Sequence, residues 1–537
     1  RSRAMHRKQR AWAWIIGAAW LLASLPVHGA ASLPHIFGDN MVLQSDKPVP
    51  VWGWAGKGEA VKVKFGGQEK SAAADNDGKW MVRLDAMPAN KTAQELTVTA
   101  ENTLTFKNVL VGEVWICSGQ SNMEFGVGGS VNGQAEVKAA DIPLIRHIKI
   151  PYVHYSYPQN DCNAAWQVAA PATIGGCTAA GFFFARELVK ELDVPVGLID
   201  SNWGGTLIEP WTCREGFASV PELKDISKRI DAAYPDSEAG QKQFQEYLAK
   251  VKDWLPQAEK AVAAKQCPPP IPAEPSGVAG DQQQPTRLFN GKIAPLVPYA
   301  IRGALWYQGE SNGGEGESYV HKTKALVGGW RQVWKQGDFS FYWVQLANFQ
   351  HSDPNKPEMG DGWARLREAE LKALAIPNTG MAVIIDIGGP KDSNNIGDIH
   401  PKNKQDVGKR LAAWALAKDY GKKIEYSGPL YQKCAVEGNK MRILFDHAEG
   451  GLLVGEKSGL EPVQPAADAK LNWISIAGED KKFYWADAVI DGKTLLVSSE
   501  KVPNPVAVRY AFTMNPQGAH LYNKEGFPAS PFRTDNW

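Results

Sequence analysis

From Asn108 onward the 537-residue chain alternates apolar runs of five to eight residues with amphipathic segments of helical spacing, and this alternation constrains the fold more than any other feature. The runs are Gly112 to Cys117, Val196 to Ser201, Ile301 to Tyr307, Phe341 to Leu346 and Met381 to Ile387. Helices are predicted near Thr178 to Leu192, Tyr319 to Gln336, Trp363 to Ala375 and Asn403 to Asp419. Strands apolar on both faces need cover on both, and helical crossovers between them make the sheet parallel. Residues 108–420 therefore read as an α/β domain with a parallel sheet, whose ligands bind at the carboxyl ends of the strands.

The flanks have a different period. Between residues 30 and 107, short alternating runs such as Pro50 to Trp54 and Ala60 to Phe65 are separated by turn signals such as Asp75-Asn76-Asp77-Gly78. That spacing predicts an N-terminal β-sandwich. Residues 421–537 return to short strands, including Met441 to Phe445 and Thr494 to Val497, and predict a C-terminal β-sandwich. Within the α/β region, a charged helix-prone segment from Val220 to about Gln266 leads into a Pro/Gly/Gln-rich stretch ending at Pro285. It reads as a helical insertion with a flexible return loop, about 220–285.

Residues 1–29 carry five Arg/Lys, then an apolar run from Ala11 to about Val27, then small residues, which is the layout of a secretory signal peptide. The expectation is a secreted or periplasmic protein with no stable membrane insertion after cleavage, since the run is shorter and less pure than a spanning helix needs. Removing these residues, which hold no Asp or Glu, takes the formal charge from +1 to −4. A mildly acidic chain without a Lys/Arg cluster interleaved with aromatics is not built to bind nucleic acid. Six cysteines in an exported chain permit disulfides, and Cys162 with Cys177 is the pair expected to bridge. None of the six shows a CxxC metal spacing.

The chemistry is concentrated at predicted strand ends. Val114-Trp115-Ile116-Cys117-Ser118-Gly119-Gln120-Ser121 runs a buried strand into a glycine turn that lifts Ser121 to the rim, where a nucleophile belongs. A serine hydroxyl needs a base. After the last apolar run comes Gly397-Asp398-Ile399-His400-Pro401, and Asp398, two residues before His400, is placed to orient the ring. Two further strand ends offer oxyanion donors: Asn202-Trp203-Gly204-Gly205-Thr206, with accessible backbone N–H groups, and Gln308-Gly309-Glu310-Ser311-Asn312, with two side-chain amides. Most of the 20 tryptophans are expected in the core, with Trp203 and Trp211 as candidates for stacking on sugar rings.

These motifs resemble, in order, those of the sialate O-acetylesterase family of carbohydrate esterases, within the SGNH hydrolases. The resemblance runs from Phe37-Gly38-Asp39-Asn40-Met41-Val42-Leu43-Gln44 through Gly119-Gln120-Ser121-Asn122-Met123, Trp203-Gly204-Gly205-Thr206 and Trp306 to Asn312, ending at Asp398-Ile399-His400-Pro401-Lys402. It implies a flavodoxin-like SGNH hydrolase core flanked by β-domains, and hydrolysis of acetyl esters on sugars through a serine acetyl-enzyme. Ser121 is then the nucleophile and His400 the general base. The N–H of Ser121 and of Gly204 or Gly205, with Gln308 or Asn312, forms the oxyanion hole. The chain departs from the SGNH pattern where the acid is expected three residues before the histidine, because Gly397 stands there; Asp398 takes the role provisionally, with Asp392 in reserve and a backbone carbonyl as a further way to orient the ring. No metal or organic cofactor is required. Three alternatives stay open at this level: an esterase of acetylated xylan or xyloglucan, a non-catalytic carbohydrate-binding protein, and a peptidase or lipase using the same serine chemistry.

Overall fold

The computed structural model describes residues 30–275, 280–388, 399–466 and 469–537. The leader-like residues 1–29, together with Asp392, Gly397 and Asp398, lie outside the described residues. Among the described residues no helix is long and apolar enough to cross a membrane.

The N-terminal region holds β1 (Val42–Gln44), β2 (Val49–Trp54), β3 (Ala60–Phe65), β4 (Gln68–Ala73), β5 (Lys79–Leu84), β6 (Asn90–Thr99) and the long β7 (Thr103–Gly119). Strands β2 and β5 pair with each other, while β4, β3, β6 and β7 form an antiparallel run with β1 added parallel to β7. The Asp75 to Gly78 turn has the expected chemistry. Asp75 Oδ1 accepts the N–H of Asp77 and of Lys79, and Gly78 takes a positive φ of 75°.

Strand β7 belongs to two regions at once. Its first six residues alternate between exposed and half-buried, and all eleven from Val109 to Gly119 are buried. The change reflects a change of neighbours: the first half pairs with β6 at a sheet with one wet face, and the second half lies in the middle of a sheet covered on both faces. Trp115 and Cys117 point into one core layer and Val114 and Ile116 into the other, as the two-residue period requires.

The central sheet adds β8 (Ile142–Lys149), β9 (Trp166–Ala169), β10 (Val196–Asn202), β11 (Gly303–Tyr307), β12 (Ser340–Val344) and β13 (Thr379–Ala382). Its order is β13-β12-β11-β7-β10-β8-β9, parallel except for β9. Five of these strands correspond to the five apolar runs, although β13 shares only Met381 and Ala382 with the run predicted to Ile387, and in chain order they lie 2-1-3-4-5, with the switch in direction at β7 between β10 and β11. A ligand crevice opens at such a switch point. The edge strands β8 and β9 were not among the predicted runs; β8 opens Ile142-Pro143 and is only half-buried at its start.

Helices in chain order are α1 (Ser121–Glu124), α2 (Gly133–Ala139), α3 (Ala179–Leu192), α4 (Arg214–Ala218), α5 (Lys224–Ala233), α6 (Glu238–Ala263), α7 (Ser318–Trp334), α8 (Gly362–Lys372) and α9 (Lys404–Lys418). The four predicted helices are found as α3, α7, α8 and α9. Their ends carry local signals: Thr178 and Asn403 accept the N–H of Gly181 and Asp406 as N-caps. Helices α3 and α9 cover one face of the sheet and α7 and α8 the other. The charged segment after Val220 forms α5 and α6. The described residues between 430 and 533 supply three small antiparallel sheets. Arg367 on α8, fully buried, ties that region to the central sheet by donating to the carbonyls of Leu346, Ala347 and Thr513.

The expected Cys162–Cys177 bridge is not formed, and all six cysteines are free. Cys162 packs in the core layer on one side of the central sheet and Cys177 in the layer on the other, so their closeness in sequence is not closeness in space.

His147 on β8 is 3% exposed and its Nε2 has no hydrogen-bond partner. Burial, with Lys149 nearby as a lesser cause, pulls its pKa from 6.5 down to about 4. The unfolded chain therefore binds a proton that the fold excludes as pH falls from 6.5 to 4, and stability is lost in that window, on the order of 3 kcal/mol. Urea midpoints measured across this range should fall steeply for the native chain and less for His147→Gln. Parallel slopes would remove His147 as the source.

Candidate active site

Register sets the rim. Gly119, the last residue of β7, pairs with Asn202 at the end of β10 and with Tyr307 at the end of β11, so the three chains leave the sheet level with one another. Gly119 has φ +136°, and a Cβ there would lie 2.2 Å from the Tyr307 carbonyl oxygen, so only glycine fits this crossing. The Gln120 N–H donates to that same carbonyl at 3.0 Å, and the chain turns at once into the single helical turn α1, with Ser121 as its first residue.

His400, 279 residues away in sequence, meets the serine. Its Nε2 lies 2.8 Å from Ser121 Oγ, a hydrogen-bond distance, and its ring stacks near Phe125 with centroids 6.5 Å apart. The residue after the serine holds the histidine segment in place. Asn122, fully buried, donates through Nδ2 to the Ile399 carbonyl at 2.7 Å and to Glu310 Oε1 at 2.6 Å, while its Oδ1 accepts from Lys404 Nζ at 2.5 Å. Lys404 is also fully buried and lies over the rings of Phe125 and Tyr307, at 5.0 and 4.8 Å. Burial pushes the Glu310 carboxyl up, opposed by its backbone hydrogen bonds, by Asn122 and by the Lys404 charge. A buried ammonium and a buried carboxylate thus share one amide directly beneath the Ser121–His400 pair.

The expected oxyanion donors divide. Gly204 lies alongside Ser121, since a Cβ on it would be 3.3 Å from Ser121 Cβ, but its N–H donates to Glu124 Oε2 at 2.6 Å. The N–H groups of Ser121 and Gly205 have no acceptor among the described residues. The two side-chain amides point into the protein. Gln308 Nε2 donates to Asn312 Oδ1 at 2.8 Å, to the Thr206 carbonyl at 3.1 Å and to Gln120 Oε1 at 3.2 Å. Asn312 Nδ2 donates to Glu209 and Glu315 at 3.1 and 2.9 Å. Both amides brace the loop beneath the glycines.

Of the two tryptophans considered for sugars, Trp211 is fully buried and donates to Thr206 Oγ1, whereas Trp203 is half-buried at the rim. Among the described residues no group of three or more His, Cys, Asp or Glu is arranged to hold a metal ion. Asn122, Glu310, Lys404 and Glu124 are site residues that the sequence reading did not assign. Asn122 and Glu310 stand inside the quoted motifs and Glu124 one helical turn after Ser121, but their partners lie 28 to 282 positions away.

A sequence profile described as "Carbohydrate esterase, sialic acid-specific acetylesterase" matches residues 111–253 and 287–417. The sialate O-acetylesterase of Mus musculus is 30% identical, with 92% of each chain covered. That of Rattus norvegicus is 28% identical over 96% of this chain and 97% of its own. A crystal structure of a carbohydrate acetylesterase from Xanthomonas citri superimposes with a TM-score of 0.76 at 36% identity, covering 95% of this chain and all of the other.

Proposed function

The chain belongs to the sialic acid-specific acetylesterase family of carbohydrate esterases and is a carbohydrate O-acetylesterase, and we propose that it works through an acetyl-enzyme on Ser121. The observation that carries this mechanism is the 2.8 Å approach of His400 Nε2 to Ser121 Oγ at the switch point of the sheet. In the first half-reaction Ser121 Oγ attacks the acetyl carbonyl carbon while Nε2 takes its proton. The tetrahedral oxyanion is received by the N–H groups of Ser121 and Gly205, which have no acceptor among the described residues. The Gly204 N–H joins them only when Glu124 releases it. His400 then passes the proton to the departing sugar oxygen, and a water, deprotonated by the same nitrogen, cleaves the acetyl-enzyme to acetate.

Asp398 is the residue we propose to orient His400, with Asp392 as the alternative. We also propose a flavodoxin-like core, on the 2-1-3-4-5 strand order, between two β-sandwich domains. The leader-like residues 1–29 support export to the periplasm or beyond.

The experiment is acetate release by the purified chain from 9-O-acetyl-N-acetylneuraminic acid and, in parallel, from acetylated xylan and xyloglucan oligosaccharides. Release from at least one is expected, and the preferred substrate names the sugar. Absence of release from all of them overturns the proposal.

A further inference from the structure

Beside the nucleophile stands a group of side chains that the ester chemistry does not use. Glu124 is three residues after Ser121 on α1, so both side chains leave the same face of the helical turn. They flank one glycine: a Cβ on Gly204 would be 3.2 Å from Glu124 Oε2 and 3.3 Å from Ser121 Cβ. The other carboxylate oxygen, Oε1, accepts the hydroxyl of Tyr152.

The Tyr152 ring is 51% exposed and meets Trp203 edge to face, with centroids 5.1 Å apart at 69°. This aromatic pair has a rigid base. Lys292, fully buried, donates to the carbonyls of Ile150 and Pro151 at 3.0 and 2.8 Å. Its Nζ lies 5.0 Å from the Tyr152 ring and 5.8 Å from the Trp203 ring, within cation–π range of both. The Trp203 backbone N–H is fixed to the Gly119 carbonyl at 3.1 Å.

We propose that Glu124, Tyr152 and Trp203 form a sugar subsite in which the Glu124 carboxylate accepts the hydroxyl next to the esterified oxygen. A carboxylate offers about four acceptor positions. The Gly204 N–H and the Tyr152 hydroxyl occupy two, leaving acceptor capacity on a carboxylate that flanks the same glycine as Ser121. With the acetyl carbon at Ser121 Oγ, the alcohol part of the ester extends past Gly204, where its neighbouring hydroxyl meets an acceptor and its C–H face meets Trp203 and Tyr152. Apolar rings with one or two placed polar groups are what orient a sugar. The chemical class selected is an acetylated sugar whose adjacent hydroxyl is free. A sugar acetylated or deoxygenated at that neighbour offers the carboxylate no donor.

This inference rests on the esterase reading, and its test separates the two. Wild type and Glu124→Gln are assayed on 9-O-acetyl-N-acetylneuraminic acid and its 8-deoxy analogue, and on methyl 2-O-acetyl-β-xyloside and its 3-deoxy analogue. A hydrogen bond to a charged acceptor makes the wild type favour the hydroxyl-bearing member of its preferred pair by about 10- to 100-fold in kcat/KM. In Glu124→Gln that preference should shrink to within about threefold, and Trp203→Ala should raise KM for both members of the pair alike. The preference is a ratio within one protein, so partial loss of folded enzyme does not distort it. Equal rates on both members in the wild type, or a preference retained in Glu124→Gln, overturn the subsite. A wild type that cleaves neither sugar and releases no acetate from acetylated xylan or xyloglucan overturns the esterase reading instead.

Discussion

Ser121→Ala should lower kcat/KM on any acetyl ester by about 10⁴-fold or more while leaving the melting temperature nearly unchanged. The reason is that the hydroxyl makes chemistry and little structure. Ser121 is only half-buried, its Oγ is paired with His400 alone, and the turn that carries it is held by Gly119 and by the Gln120 N–H to the Tyr307 carbonyl. Removing one oxygen there takes away the proposed nucleophile but no packed methyl groups and no buried donor. Initial rates on 4-nitrophenyl acetate together with a thermal melt check both halves. Turnover retained within tenfold would displace Ser121 as nucleophile, and a large drop in melting temperature would mean that the serine is part of the scaffold.

Asn122→Ala, one residue further on, should behave differently. Its amide is the shared partner of Glu310, Lys404 and the carbonyl of Ile399, the residue before His400. Without it, a buried ammonium and a buried carboxylate each lose a hydrogen bond, which costs about 3 kcal/mol of stability. The His400 segment also loses its tie to the nucleophile turn, and a misplacement of about 1 Å at a reacting pair lowers kcat by about 10²-fold. KM for a small ester should change little, because the amide faces inward and touches no substrate. A split of this kind, with kcat down and KM held, marks Asn122 as a positioning residue. A variant with lowered stability and a kcat within threefold of the native value would reduce the cluster to scaffolding.

Asn122 and Ser121 also show where sequence reading reached and where it stopped. Ser121 was legible because its signal is local: an apolar strand, a glycine that must turn, then a hydroxyl. His400 was legible because it follows the last apolar run and precedes a helix with its own N-cap, Asn403. The partners of Asn122 could not be read, because an amide beside a serine carries no trace of a lysine 282 positions later.

The amides of Gln308 and Asn312 make the same point from the other side. Their motif placed them correctly at the end of β11, yet the structure turns both inward to Gln120, Thr206, Glu209 and Glu315. A side-chain amide at a rim can face solvent, substrate or protein, and the choice depends on which buried donors and acceptors remain unsatisfied around it. That balance is set by segments far apart in the chain. The N–H of Gly204 is a further case, since its capture by Glu124 follows from the approach of α1 to the end of β10.

By itself, the sequence determined the periodicities, and with them the strands β7, β10, β11, β12 and β13, the helices α3, α7, α8 and α9, and the rim on which the motifs gather. These depend on which faces of each segment are apolar and on capping residues within a few positions. Only the tertiary structure decided the strand order, the continuity of β7 through two regions, the separation of Cys162 from Cys177 and the partners of every polar group around Ser121. Those are outcomes of non-local pairing, in which most buried donors and charges take an acceptor that the packed chain brings near, and no window of neighbouring residues encodes that choice.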